Sequence, residues 1–71
     1  MRTKFPKQML QEVADATTTE HGDAIVVPLL NRAGRKRSPH FWEGVPASAT
    51  TGALEEIRRL QRQRQLGEEA A

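Results

Sequence analysis

Beyond Met1, the large apolar side chains of this chain fall into three short groups, and no cysteine is present to tie the groups together. The first group is Phe5, Met9, Leu10 and Val13. The second is Ile25, Val26, Val27, Leu29 and Leu30 with Phe41, Trp42 and Val45, and the third is Leu54, Ile57, Leu60 and Leu66. In 71 residues these groups suffice for one core, which leaves no room for a large enclosed active site. Such a core nets only about 3–5 kcal/mol once chain entropy is subtracted. Without thiols, neither a disulfide nor a thiolate zinc site can supplement it. The longest apolar run, Ala24 to Leu30, is too short to cross a bilayer and is interrupted by Pro28. The N-terminus lacks the charged-then-apolar pattern of a signal peptide, so a soluble, cytoplasmic protein is expected.

Local patterning predicts an α+β fold. Pro6 suits the start of a helix, and Met9, Leu10, Val13 and Ala14 follow at the spacing of one helical face, predicting a helix from about Pro6 to Ala16. Thr17, Thr18 and Thr19 are β-branched, Glu20-His21-Gly22-Asp23 is turn-like, and Ala24 to Val27 is β-rich. Together these predict a small hairpin whose second strand lies at an edge or ends at Pro28. Ala33-Gly34 reads as the tip of a second turn, which places the neighbouring cations on a loop. Gly44, Pro46 and the small residues Ala47 to Gly52 read as a linker, with Thr51 or Gly52 capping a second helix that runs to about Leu66. In that helix Glu55 and Glu56 precede Arg58, Arg59, Arg62 and Arg64, and Gly67 supplies a stop. Its stripe of Ala53, Ile57, Leu60 and Arg64 is narrow and ends in a charge, so it is expected to dock lightly or stay partly free. The expected organisation is a small α+β domain over residues 1–46, a linker over 47–52, a separable C-terminal helix over 53–66 and a disordered tail over 67–71.

The stretch Asn31 to Trp42 concentrates charge and aromatic surface. It holds Arg32, Arg35, Lys36 and Arg37, followed by His40, Phe41 and Trp42. Net charge is only +2, from eleven cations against nine acids, so the local clustering matters more than the total. A solvated loop would account for these cations without any partner. A contact surface is the sharper reading: eight of the eleven cations are arginine, whose guanidinium pairs bidentately with carboxylate or phosphate. Phe41 and Trp42 are adjacent, so in extended backbone they face opposite ways; one is expected in the core, and the other, Phe41 beside His40, on the surface. Arg58, Arg59, Arg62 and Arg64 form a second candidate contact region on the C-terminal helix, Arg64 standing out because a charge on an apolar stripe suggests a partner.

No catalytic or metal-binding pattern accompanies these cations. His21 and His40 lie at no recognised ligand spacing, no Ser/His/Asp, Cys/His or paired-carboxylate arrangement can be drawn, and Gly34 lacks the context of a phosphate-binding loop. A non-enzymatic protein without cofactor or small-molecule substrate is expected.

Taken with its small size and its lack of cysteine, the basic stretch and basic terminal helix give the chain a character that resembles the small phage-encoded regulators of host RNA polymerase, the Xanthomonas-phage type. The stretches Met1-Arg2-Thr3-Lys4-Phe5-Pro6-Lys7 and Ser38-Pro39-His40-Phe41-Trp42 carry the likeness. The resemblance implies a protein that contacts the large polymerase subunits in the bacterial cytoplasm, inhibits initiation by antagonising the σ factor, and acts as an antiterminator near the RNA exit channel. The alternative is a direct DNA- or RNA-binding protein (a repressor, antitoxin or RNA-binding module) with the same cations on phosphates. A third possibility is an assembly or inhibitor protein of another phage or bacterial complex. Against direct binding, no helix-turn-helix spacing is evident and the acids nearly balance the cations.

Overall fold

The described residues form three helices: α1 (Lys7–Ala16), α2 (Asp23–Arg37) and α3 (Ala47–Ala70). The computed structural model describes residues 5–70, with side chains through Gly67. Met1 to Lys4 and Ala71 lie outside the described residues, and with them Arg2, Lys4 and the last residue of the expected tail. No strand occurs among the described residues, so the expected α+β class is corrected to all-α.

The hairpin fails because burial overrides local preference. Ile25, Val26 and Val27 favour strands weakly, but Val26, Leu30 and Ala33 recur at i, i+4 and i+7, and together with Gly34 they form the buried face of α2. The ends of α2 suit its dipole, with Asp23 in the first turn and Arg35, Lys36 and Arg37 in the last. Pro28 sits inside the helix and withholds a donor from the Ala24 carbonyl. Both residues are exposed, so water can take the place of that donor.

The expected linker is helical as well. Gly44 has φ of 76°, a left-handed turn that swings the chain after Trp42, and the Pro46 carbonyl then accepts from Ala49 N–H at 3.1 Å. Ala47, Ala49 and Ala53 are the strongest of helix formers, and Thr51 donates its hydroxyl back to the Ala47 carbonyl at 3.2 Å instead of capping a later start. Residues 67–70, expected as a disordered tail, continue α3.

Ala53, Ile57 and Leu60 of α3 are buried against Phe5, Met9, Leu10, Val13 and Ala14. The division into a 1–46 domain and a lightly docked, separable helix therefore gives way to one core shared by all three helices. α1 packs against both of the others. At one end of the molecule Phe5 meets Phe41 and Trp42; at the other, Thr17 bonds to Gln61 and Asp23 to Arg58. These contacts make α1 and α3 run the same way, with α2 antiparallel to both. At 24 residues, α3 is about 36 Å long and spans most of the 40 Å long dimension. Residues 62–67 are exposed, but Arg64 and Gln65 still bond back to the end of α1 and to the Thr19 hydroxyl.

Candidate functional site

The basic cluster of the middle stretch is displayed on a helix, not on a loop. Arg32, Arg35 and Lys36 are exposed and, at spacings of three and four, share the solvent face of α2. Arg37 is also exposed, but it continues the buried row Leu30, Ala33 and Gly34 and emerges at the end of the bundle. None of these four cations has an ion-pair partner among the described residues. Two apolar residues that sequence reasoning assigned to the core border the cations: Ile25 is 49 % exposed and Leu29 is half-buried. Their signal in the sequence was the helical spacing Ile25-Leu29-Arg32-Lys36, hidden by the strand reading.

Between α1 and α2 lies a shallow groove of about 120 Å³. Its floor is Val13, Ala16, Leu29 and Ala33, and Arg32 and Lys36 form the α2 rim opposite Glu12. Two cations against one acid leave the rim positive. A second, larger cleft of about 250 Å³ is polar and is lined by Thr17, Thr18, Thr19 and Glu20 with Gln61, Arg64 and Gln65 of α3.

Several expected contact residues turn out to hold the fold. Phe41 does not face solvent beside His40. It packs edge-on to Trp42 with ring centroids 5.0 Å apart and lies 5.8 Å from Phe5. The extended-backbone argument fails because residues 39–44 form a turn, which lets both neighbours face inward. Trp42 Nε1 donates to the Asn31 carbonyl at 2.9 Å and so fixes the turn on α2. Gly34 is therefore not a turn tip but the place where the two rings lie against the helix backbone. His40 is exposed and pairs with Glu43 three residues on.

On α3, Arg58 bridges elements, donating to Asp23 at 3.0 Å and to Gln61 at 3.0 Å. Gln61 in turn donates to the Thr17 hydroxyl, which donates to the Val13 carbonyl at 2.8 Å. Thr17 and Gln61 are both buried, and this chain of bonds satisfies their polar atoms. Arg64 donates to the carbonyls of Ala14, Asp15 and Thr17, each at 3.2 Å. The Ala14 carbonyl already accepts from the Thr17 N–H at 3.3 Å, and Arg64 adds a side-chain donor to it and to the two carbonyls beyond; a cation there also meets the negative end of the dipole. The partner suggested by its place on the stripe is thus α1 of the same chain.

Arg59 pairs with Glu56, and the hydrogen bond to that carboxylate, followed by its charge, raises the guanidinium pKa above its ordinary value. Arg62 is exposed on the outer face of α3, in line with Arg59 and Leu66. Of the ten residues expected to meet a partner, the structure gathers only Arg32, Arg35 and Lys36 into one open patch.

Among the described residues no three His, Cys, Asp or Glu side chains come together as a metal site. No described helix is long and apolar enough to cross a membrane. No protein-family model, curated protein or solved structure matches the chain.

Proposed function

We propose that this chain is a small binding protein that docks through the outer face of α2 on an acidic protein surface, and that the partner is bacterial RNA polymerase. The observation that carries the docking face is the exposed row Arg32, Arg35 and Lys36, which has no ion-pair partner among the described residues and is bordered by Ile25 and Leu29. Three unpaired cations on one helical face repel one another, and a partner that supplies carboxylates removes that cost. The apolar border favours a protein over a phosphate backbone: half-exposed Ile25 gains by burial, and nucleic-acid backbone offers it little apolar surface. The polymerase as target rests on the resemblance drawn from the sequence. In that reading the docked protein inhibits initiation by antagonising the σ factor and acts as an antiterminator.

The second reading is direct binding of DNA or RNA, favoured by one specific observation: the cations lie on an exposed helix, the element that most often enters a groove or tracks phosphates.

Binding of labelled protein to purified polymerase core, to holoenzyme and to free DNA and RNA at two salt concentrations tests both readings. The proposal expects saturable binding to polymerase, weakened at least about tenfold in the Arg32→Ala/Arg35→Ala/Lys36→Ala variant, with feeble binding to free nucleic acid. Equal affinity of the variant overturns the docking face. Tight binding to free DNA or RNA that falls steeply with salt replaces the polymerase reading by the second one.

A further inference from the structure

The row of side chains along the outer side of α2 has a direction. Ile25, Leu29, Arg32 and Lys36 follow one another at helical spacing, so the row is apolar at its start and cationic toward its end. Beside it runs the α1–α2 groove, where Ala16 is exposed, Leu29 is half-buried, and the volume of about 120 Å³ takes one branched aliphatic side chain. Both cations of its rim are exposed, and neither is ion-paired with Glu12 or with any other acid among the described residues. What fills the floor must be apolar, and what meets the rim must be anionic.

We infer that the groove takes a single leucine or isoleucine from an acidic helix of the partner protein, with carboxylates one and two turns before that residue meeting Arg32 and Lys36. The inference rests on the docking face proposed above and names what that face recognises. Spacing and charge choose the occupant. Arg32 and Lys36 lie three and seven residues beyond Leu29, about 4.5 and 10.5 Å along the axis at 1.5 Å per residue. A helix laid along α2 presents its own acids at the same intervals, whereas an extended segment shows one face only every ~6.7 Å and misses both. A phosphate backbone would satisfy the rim and leave the floor empty. The acids stand before the anchor because a carboxylate is favoured near the start of a helix, which runs the partner antiparallel to α2. An amphipathic helix seated by one apolar anchor is a recurring form of groove recognition.

Titration of the full chain with a fluorescein-labelled helical peptide of about twenty residues tests this without polymerase. The probe is capped at both ends and carries one leucine, glutamates four and seven residues before it, and alanine and glutamine elsewhere. Saturable binding with a Kd below about 100 μM is expected. Replacing the probe's leucine by alanine, or both glutamates by glutamine, should weaken binding at least about tenfold. Ala16→Leu fills the groove from an exposed position at the end of α1, so it should weaken the probe as strongly while circular dichroism finds the fold intact. Lys36→Glu should weaken it too, and a probe with lysine in place of the glutamate farther from the leucine should bind that variant better than it binds the wild type.

No measurable binding overturns the inference. Equal binding of the alanine probe removes the groove as the seat, and equal binding of the glutamine probe removes the acidic helix as the occupant. A dimer of the chain alone that Ala16→Leu abolishes gives the groove to a second copy and overturns the inference as well. The docking face fails separately, when Arg32→Ala/Arg35→Ala/Lys36→Ala binds polymerase as the wild type does. Polymerase binding that is lost in that variant and kept in Ala16→Leu sinks the groove alone.

Discussion

Replacing Gly34 by alanine places a methyl group where two aromatic rings already are. A Cβ there would lie 2.5 Å from Trp42 Nε1, 2.7 Å from Trp42 Cε2 and 2.7 Å from Phe41 Cδ2. Relaxed contacts between such atoms are about 3.5–4.0 Å, so both rings must retreat by about 1 Å. Neither is free to do so cheaply. Trp42 is held by its bond to the Asn31 carbonyl, and Phe41 is wedged between Trp42 and Phe5.

Overpacking of this kind costs about 1–3 kcal/mol, and loosening the indole hydrogen bond adds about 0.5–1.5 kcal/mol. Against this, alanine is the better helix former by about 1 kcal/mol. The net expectation is a loss of about 1–3 kcal/mol, a fall in Tm of at least about 4 °C for a domain of this size. Gly52→Ala is the internal control. It makes the same chemical change inside α3, with nothing within 4 Å of the added Cβ, and should raise Tm through helix propensity alone. Thermal melts followed by far-UV circular dichroism measure both variants. Fluorescence of Trp42, the single tryptophan, reports whether the ring has moved toward water. A Gly34→Ala protein that melts at or above the wild type would refute the argument that the glycine exists for close ring approach.

Three further outcomes follow from the same packing. Truncation after Ser48 should leave an unfolded chain by circular dichroism, and Ile57→Ala should cost about 2–5 kcal/mol in a urea melt, because Ala53, Ile57 and Leu60 complete the core. Thr17→Val should cost about 1–3 kcal/mol by leaving the buried Gln61 amide without its acceptor; adding Gln61→Leu should recover most of that loss, which a double-mutant cycle measures. Arg64→Ala should lower stability by up to about 2 kcal/mol by uncapping the end of α1, with the first loss of amide-exchange protection at Val13 to Thr17.

The parts of this fold that were legible in the sequence are those whose signals are local and agree. Met9, Leu10, Val13 and Ala14 share a helical face, no strand preference competes with them, and α1 stands within a residue of where that spacing puts it. In α2 the local signals conflict. β-Branched residues, a proline and a glycine all argue against a helix, and only the joint burial of Val26, Leu30, Ala33 and Gly34 decides for one. That burial depends on the α1 and α3 residues of the shared core and, at Gly34, on Phe41 and Trp42, none of which the α2 segment itself reveals. Gly34 illustrates the difficulty: the lack of a side chain serves a turn and a close approach equally well, and the sequence does not say which ring will lie over it.

The candidate site was legible as a cluster of cations but not as a surface, for a reason particular to a domain with so few large apolar residues. Where the core is thin, charged side chains take over structural work. Arg58 ties α3 to the start of α2 through Asp23, Arg64 closes the end of α1, and Arg59 is engaged by Glu56. An arginine in a sequence thus carries two readings, a ligand for something outside or a clamp within, and spacing along its own helix cannot separate them because the carbonyls it caps belong to another helix. The cations of α2 differ in that Arg32, Arg35 and Lys36 are exposed together on one helical face without an ion-pair partner among the described residues, whereas Arg58, Arg59 and Arg64 of α3 are engaged within the fold.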